Sequence, residues 1–112
     1  MSSPDPIREL ANPAPVFAAL GDATRLALVS RLSDGHARSI TQLTDGLRLT
    51  RQGVTKHLRV LEHAGIVNSS RVGRESQFTY VPEPIEQLRS YVDTVSRQWD
   101  DALSSLQSFV EP

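Results

Sequence analysis

The chain has 112 residues, 38% hydrophobic and 5% aromatic, enough for one small domain with a modest core. It contains no cysteine, which excludes disulfides, thiolate metal sites and thiol redox sensing. Its formal net charge of −1 superficially excludes a nucleic-acid partner, but the charge is unevenly spread, as the elements show.

The opening MSSPDPIREL lacks the basic start and apolar stretch of a signal peptide, and no apolar run approaches a membrane span. A soluble, cytoplasmic protein without a membrane partner is expected. Residues 1–12 are Pro-rich and read as a frayed segment, with a short helix allowed after Asp5-Pro6. One domain is expected over 13–112. Val16, Phe17 and Leu20 predict a short apolar helix ending at Gly21. Asp22 caps the next helix, Ala23 to Leu32, with Leu26, Leu28, Val29 and Leu32 inward. Ser33-Asp34-Gly35 breaks it. Ser39 and Ile40 suit a very short strand. A helix from about Thr41 to Leu47 follows, with Leu43 and Leu47 inward, and Arg48-Leu49 is the tight turn into the next one.

That next helix is the most informative part of the chain. Thr50 is a good N-cap, because its hydroxyl can accept from an unpaired backbone N–H. Gly65 is a good stop, because glycine reaches the left-handed conformation at little cost. Val54, Leu58 and Leu61 recur at i, i+4 and i+7 and form one apolar stripe. At about 100° per residue, Arg51, Gln52, Thr55, Lys56 and Arg59 share another side. Arg and Lys suit guanine edges and phosphates, and Gln suits adenine edges. A polar helix face is ordinarily just a solvated one, so the flanking segments matter. Residues 48–74 hold Arg48, Arg51, Lys56, Arg59, Arg71 and Arg74 against Glu62 alone, six minus one, net +5. Residues 1–47 sum to −1 and residues 75–112 to −5. Salt screens charges beyond roughly 8–10 Å, so the local patch decides attraction to phosphate.

After Gly65 the period changes. Residues 66–72 and 77–81 favour strands, with Gly73-Arg74-Glu75-Ser76 between them. A hairpin directly after a reading helix is a wing, with Arg71 and Arg74 near its tip. Pro82-Glu83-Pro84 then starts a long helix, about 83–110. Ile85, Leu88, Val92, Val95, Trp99, Ala102, Leu106 and Phe109 step by alternating threes and fours, the a/d seam of a heptad. Tyr91, Leu103 and Val110 widen it. A domain this small cannot cover so long a seam, and burying one large side chain gains about 1.5–3 kcal/mol. Self-association is therefore expected through Leu88, Tyr91, Val92, Val95, Trp99, Ala102, Leu103 and Leu106, with Val16, Phe17 and Leu20 packing alongside. The alternative is an intramolecular helical cap.

With those residues in view, the chain resembles the ArsR/SmtB family of bacterial winged-helix repressors over roughly residues 14–110. Ala19-Leu20-Gly21-Asp22-Ala23-Thr24-Arg25, the run from Thr50 to Val67 and the wing carry the likeness. TRQGVTKHLRVLEHAGIV is also similar to a subgroup, sometimes called SdpR-like, that lacks metal sites. The resemblance implies a mostly α fold with a small β-hairpin: a winged helix-turn-helix whose N-terminal and long C-terminal helices form a dimer interface. In metal-sensing members a Cys-x-Cys pair occupies what match Ser39 and Thr41 here, which are poor ligands for soft metals. The interfacial zinc site of other members needs histidine on the last helix, and residues 83–112 have none. His57 and His63 are six apart, not four, and cannot share one ion on a helix; His57 reads as a partly buried packing residue. The family often has glycine where this chain has Arg48, so a positive φ there would imply strain. No nucleophile-elbow, Walker or G-x-G-x-x-G pattern occurs, so an enzyme is not expected.

The expected function is a homodimeric transcriptional repressor with no metal and no cofactor. It would read a palindromic operator in double-stranded DNA through Thr50, Arg51, Gln52, Thr55, Lys56, Arg59 and His63, with Arg71 and Arg74 on the backbone or minor groove. The alternative is a winged-helix protein–protein adaptor that does not read DNA. Nothing in the residues names a small-molecule or protein effector.

Overall fold

The computed structural model describes residues 12–110. The short helix allowed after Asp5-Pro6, and all of the frayed segment but Asn12, lie outside the described residues. The elements are α1 (Ala14–Leu20), α2 (Ala23–Leu32), β1 (Arg38–Ser39), α3 (Ile40–Thr44), α4 (Arg51–His63), β2 (Val67–Val72), β3 (Glu75–Tyr80) and α5 (Glu83–Val110).

Local chemistry sets most boundaries. The Asp22 carboxylate accepts from the Arg25 N–H at 3.0 Å and starts α2. Ser39 and Gln42 form a reciprocal capping box, so Ile40 opens α3 rather than extending the strand as expected. That helix also ends earlier than expected, at Thr44. Gly46 takes a positive φ of 80° there, which breaks the helix, although Leu47 still packs on the core. The feared strain at Arg48 is absent, because no described non-glycine residue has positive φ. The glycine two positions earlier takes the turn instead.

The core lies where α2, α3, α4 and the sheet meet. Leu28, Leu32, Leu43, Val54, Leu58, Leu61, Ile66, Val67 and Phe78 are all fully buried. Leu26, expected to face inward, is 52% exposed. At about 100° per residue it sits some 160° round α2 from Leu28, so the two cannot share one narrow apolar face.

The three strands pair antiparallel in the order β1-β3-β2. Phe78 on β3 faces Arg38 on one side and Ser69 on the other. Val72 pairs with Glu75, so the hairpin turn is only Gly73-Arg74, shorter than the expected four residues. Gly73 makes it possible, with a φ of 64°.

α5 differs from every other element. Its 28 residues include no buried one, and at about 1.5 Å per residue it is roughly 42 Å long. The radius of gyration is 18.9 Å, against about 13 Å for a compact chain of this length. The excess comes from a helix that leaves the body of the domain.

Candidate nucleic-acid interface

α4 follows the α3 turn as the second helix of a helix-turn-helix. The Thr50 hydroxyl accepts from the Gly53 N–H at 3.0 Å, closing the N-terminus. Gly53 suits this cap, since an added Cβ would stand 3.3 Å from that hydroxyl. Val54, Leu58 and Leu61 are buried and fix which face turns outward. Arg51, Gln52, Lys56, Arg59 and His63 are exposed and Thr55 is half-buried. The Thr55 hydroxyl donates to the Arg51 carbonyl at 2.7 Å, so only its lone pairs and methyl remain available.

The structure separates the cations into two kinds. Arg51, Lys56, Arg71 and Arg74 make no ion pair among the described residues. Arg59 does: its guanidinium lies 2.8 Å from Glu62. The other Glu62 oxygen accepts from the Ser69 hydroxyl on β2. Glu62 thus staples the reading helix to the wing and draws Arg59 out of the free set. The i,i+3 spacing of Arg59 and Glu62 was the available signal.

The Ser69 hydroxyl, and then Arg59, hold the Glu62 carboxyl below its ordinary value of 4.5. A depressed carboxylate stabilises the fold above its unfolded pKa and loses that contribution as pH falls through the folded one. Glu62→Gln is therefore expected to flatten the fall in melting temperature below about pH 4.5. Thermal melts of both proteins between neutral and acid pH would check it, and parallel acid limbs would refute it.

Arg74 at the wing tip and Arg51 at the start of α4 line one small cleft with Ser39, Thr41, Glu75 and Ser76, of about 160 Å³. Two elements far apart in sequence thereby bring two arginines, and Glu75, to one cleft. Arg71 stands exposed on β2.

α1 lies against α5. The rings of Phe17 and Tyr91 meet edge to face at 6.1 Å. Val16 and Leu20 pack on the core, and Leu88 and Val95 are half-buried. Val92, Ala102, Leu103 and Leu106 are exposed, Trp99 is 65% exposed and Phe109 87%. The seam continues past everything among the described residues that covers it.

Ser39 is buried, with its hydroxyl committed to the Gln42 N–H. No three His, Asp or Glu side chains converge among the described residues. His57 is half-buried, as expected, but it is bonded rather than merely packed: Arg25 donates to its Nδ1 at 3.1 Å. That link spans 32 residues, and no local pattern in the sequence signals it.

A capped reading helix, a short turn before it and a hairpin after it define a winged helix-turn-helix DNA-binding protein. Residues 20–70 match the family described as a helix-turn-helix domain. YuzN of Bacillus subtilis, an HTH-type transcriptional regulator, is 38% identical over 79 residues, covering 65% of this chain and 86% of the relative. The structure of an ArsR-like transcriptional regulator from Rhodococcus sp. RHA1 matches with a TM-score of 0.78 at 30% identity, over 93% of this chain and 97% of that one. The homodimeric winged helix-turn-helix DNA-binding domain of Mb0332 from Mycobacterium bovis has a TM-score of 0.63 at 21% identity, over 88% and 91%, a likeness of fold alone. The chain belongs to the ArsR/SmtB family of transcriptional regulators. It is a DNA-binding regulator, not an enzyme.

Proposed function

We propose that the chain acts as a homodimeric repressor of the metal-site-lacking kind, seated on a palindromic operator. The observation that carries this is the presence of two unsatisfied surfaces on one small domain. One is the reading face and wing, with Arg51, Lys56, Arg71 and Arg74 free of ion pairs among the described residues. The other is an apolar seam running to Phe109. Two copies joined along α1 and α5 cover the seam and present two reading helices related by a two-fold axis. Symmetry then demands half-sites about 10–10.5 bp apart, or a multiple. A dimer matters because a single small module buries only about 600–1,000 Å² on DNA. A dimer seated across a promoter denies it to polymerase, which is why repression is the assigned sense. The homodimer of the Mb0332 domain supports the assembly.

Within this reading, Gln52, Thr55 and Lys56 meet base edges, with Thr50 and Arg51 at the helix start. The Arg51–Arg74 cleft and Arg71 hold phosphates and His63 reaches a phosphate at the helix end, while Arg59 stays paired with Glu62. Lys56→Ala and Gln52→Ala are expected to weaken specific binding by about 1–3 kcal/mol each and to leave the dimer intact. Titration of a duplex carrying the upstream region of the chain's own gene, alongside sedimentation of the protein alone, tests the proposal. A monomer indifferent to that DNA would favour the adaptor alternative, in which α5 takes a heterologous helix. The free cations on α4 and the wing weigh against it, since an adaptor has no use for them.

A further inference from the structure

Arg25 stands where three helices meet. Its backbone lies in the first turn of α2, but its side chain serves the two helices on either side. Nε donates to the Ala19 carbonyl at 2.5 Å and Nη2 to the Ala18 carbonyl at 3.4 Å. Both carbonyls belong to the last turn of α1, and the Ala18 oxygen also accepts from the Gly21 N–H at 3.3 Å. Nη1 donates to His57 Nδ1, 3.1 Å away on α4. A guanidinium has donors and no acceptor, so in this contact His57 Nδ1 is the acceptor. The Asp22 carboxylate stands 3.7 Å from the same nitrogen.

His57 points away from the reading face: by helical spacing it lies roughly 170° from the centre of that face. It cannot touch a base. What it does is fix the roll of α4. The stripe of Val54, Leu58 and Leu61 sets the depth of the helix, but apolar contact is non-directional and tolerates small rotations. One directed bond at the flank of the stripe does not. The far end of that bond is α1, which rests on α5 through Phe17 and Tyr91. A continuous chain of contacts therefore runs from the apolar seam to the reading helix, with Arg25 as the only side chain bonded to both α1 and α4 among the described residues.

We infer that Arg25, acting through His57, is a positioning residue for DNA reading: it locks the rotation of the reading helix to the layer that forms the dimer. The inference rests on the DNA-reading function proposed above. Losing the lock costs discrimination between sequences, because base contacts need the helix roll held, whereas phosphate attraction does not.

The test uses the full chain. Wild-type protein first enriches a duplex from a random pool, and affinities are then measured for that duplex and for a scrambled one. A hydrogen bond to a charged group is worth about 1.5–3 kcal/mol, so His57→Leu is expected to lose about tenfold or more on the enriched duplex. On the scrambled duplex it should stay within about twofold, with an unchanged sedimentation profile. His57→Gln, whose side-chain oxygen can accept from Arg25, should stay within about threefold of wild type on both. Arg25→Lys cannot span both helices with one ammonium group and should lose specificity as His57→Leu does. It serves as the deciding variant should His57→Leu not fold. The double variant should be no worse than the poorer single one, since both break one link. Equal losses on both duplexes, equal losses for the Leu and Gln variants, or no loss at all would each overturn the inference. If the wild-type protein enriches no duplex, the DNA-reading proposal falls and this one with it. If it enriches one and the variants bind as well as wild type, only this one falls.

Discussion

Trp99→Ala is expected to shift the protein from dimer towards monomer, weakening self-association by about 3–5 kcal/mol, roughly a hundredfold to several thousandfold in the dissociation constant. The size follows from where the side chain stands. In a single chain the Trp99 side chain is mostly in water, and it lies in the stretch of the seam where Val92, Ala102, Leu106 and Phe109 are exposed too. A large aromatic residue at the centre of an interface is the usual site of concentrated binding energy. The same exposure predicts a second, opposite result. The folded core of Leu28, Leu58 and Phe78 does not include Trp99, so the winged body of the monomer should keep its own structure. Sedimentation across a range of concentrations separates the two effects from general unfolding when run beside far-UV circular dichroism. A Trp99→Ala protein that sediments as an unchanged dimer would mean that the α5 face serves something else.

That seam was legible because its apolar residues repeat over eight positions and need no partner to be recognised. The reading helix was legible for a similar reason: Thr50, Gly65 and the Val54-Leu58-Leu61 stripe are all local, and each constrains the helix independently. Where the expectation slipped, a competing local interaction decided the outcome. Ser39 and Gln42 cap each other, and this moved the start of α3 to Ile40. Gly46, not Arg48, supplied the positive φ, and this shortened α3 by three residues at its end. Leu26 was placed inward on composition, but its angle on α2 takes it out of the core. Arg59 has its partner only three residues along the same helix, in Glu62, a pairing that local spacing allows but does not dictate. The Arg25–His57 bond was invisible for a different reason. It joins residues brought together only when α1, α2 and α4 pack, and no periodicity encodes such a meeting.

Binding to DNA is expected to fall steeply with salt. Four cations on each chain, Arg51, Lys56, Arg71 and Arg74, form no ion pair among the described residues, and two of them share a cleft. If about three phosphates are neutralised per protomer, six per dimer, the slope of log K against log salt should be near −5. Affinity should then fall about a thousandfold between 50 and 200 mM salt. Glu62 offers an internal control, because it holds one further cation back. Glu62→Gln releases Arg59 on both protomers and should steepen the slope by up to about two units. Arg74→Ala should make it shallower by up to about the same amount, having removed one phosphate partner from each wing. Fluorescence anisotropy at four or five salt concentrations measures all three slopes on one duplex. A wild-type slope shallower than about −2 would mean that the basic surface does not face the phosphates. An unchanged slope for Glu62→Gln would mean that Arg59 leaves its carboxylate for DNA in the native complex, or lies clear of the backbone altogether.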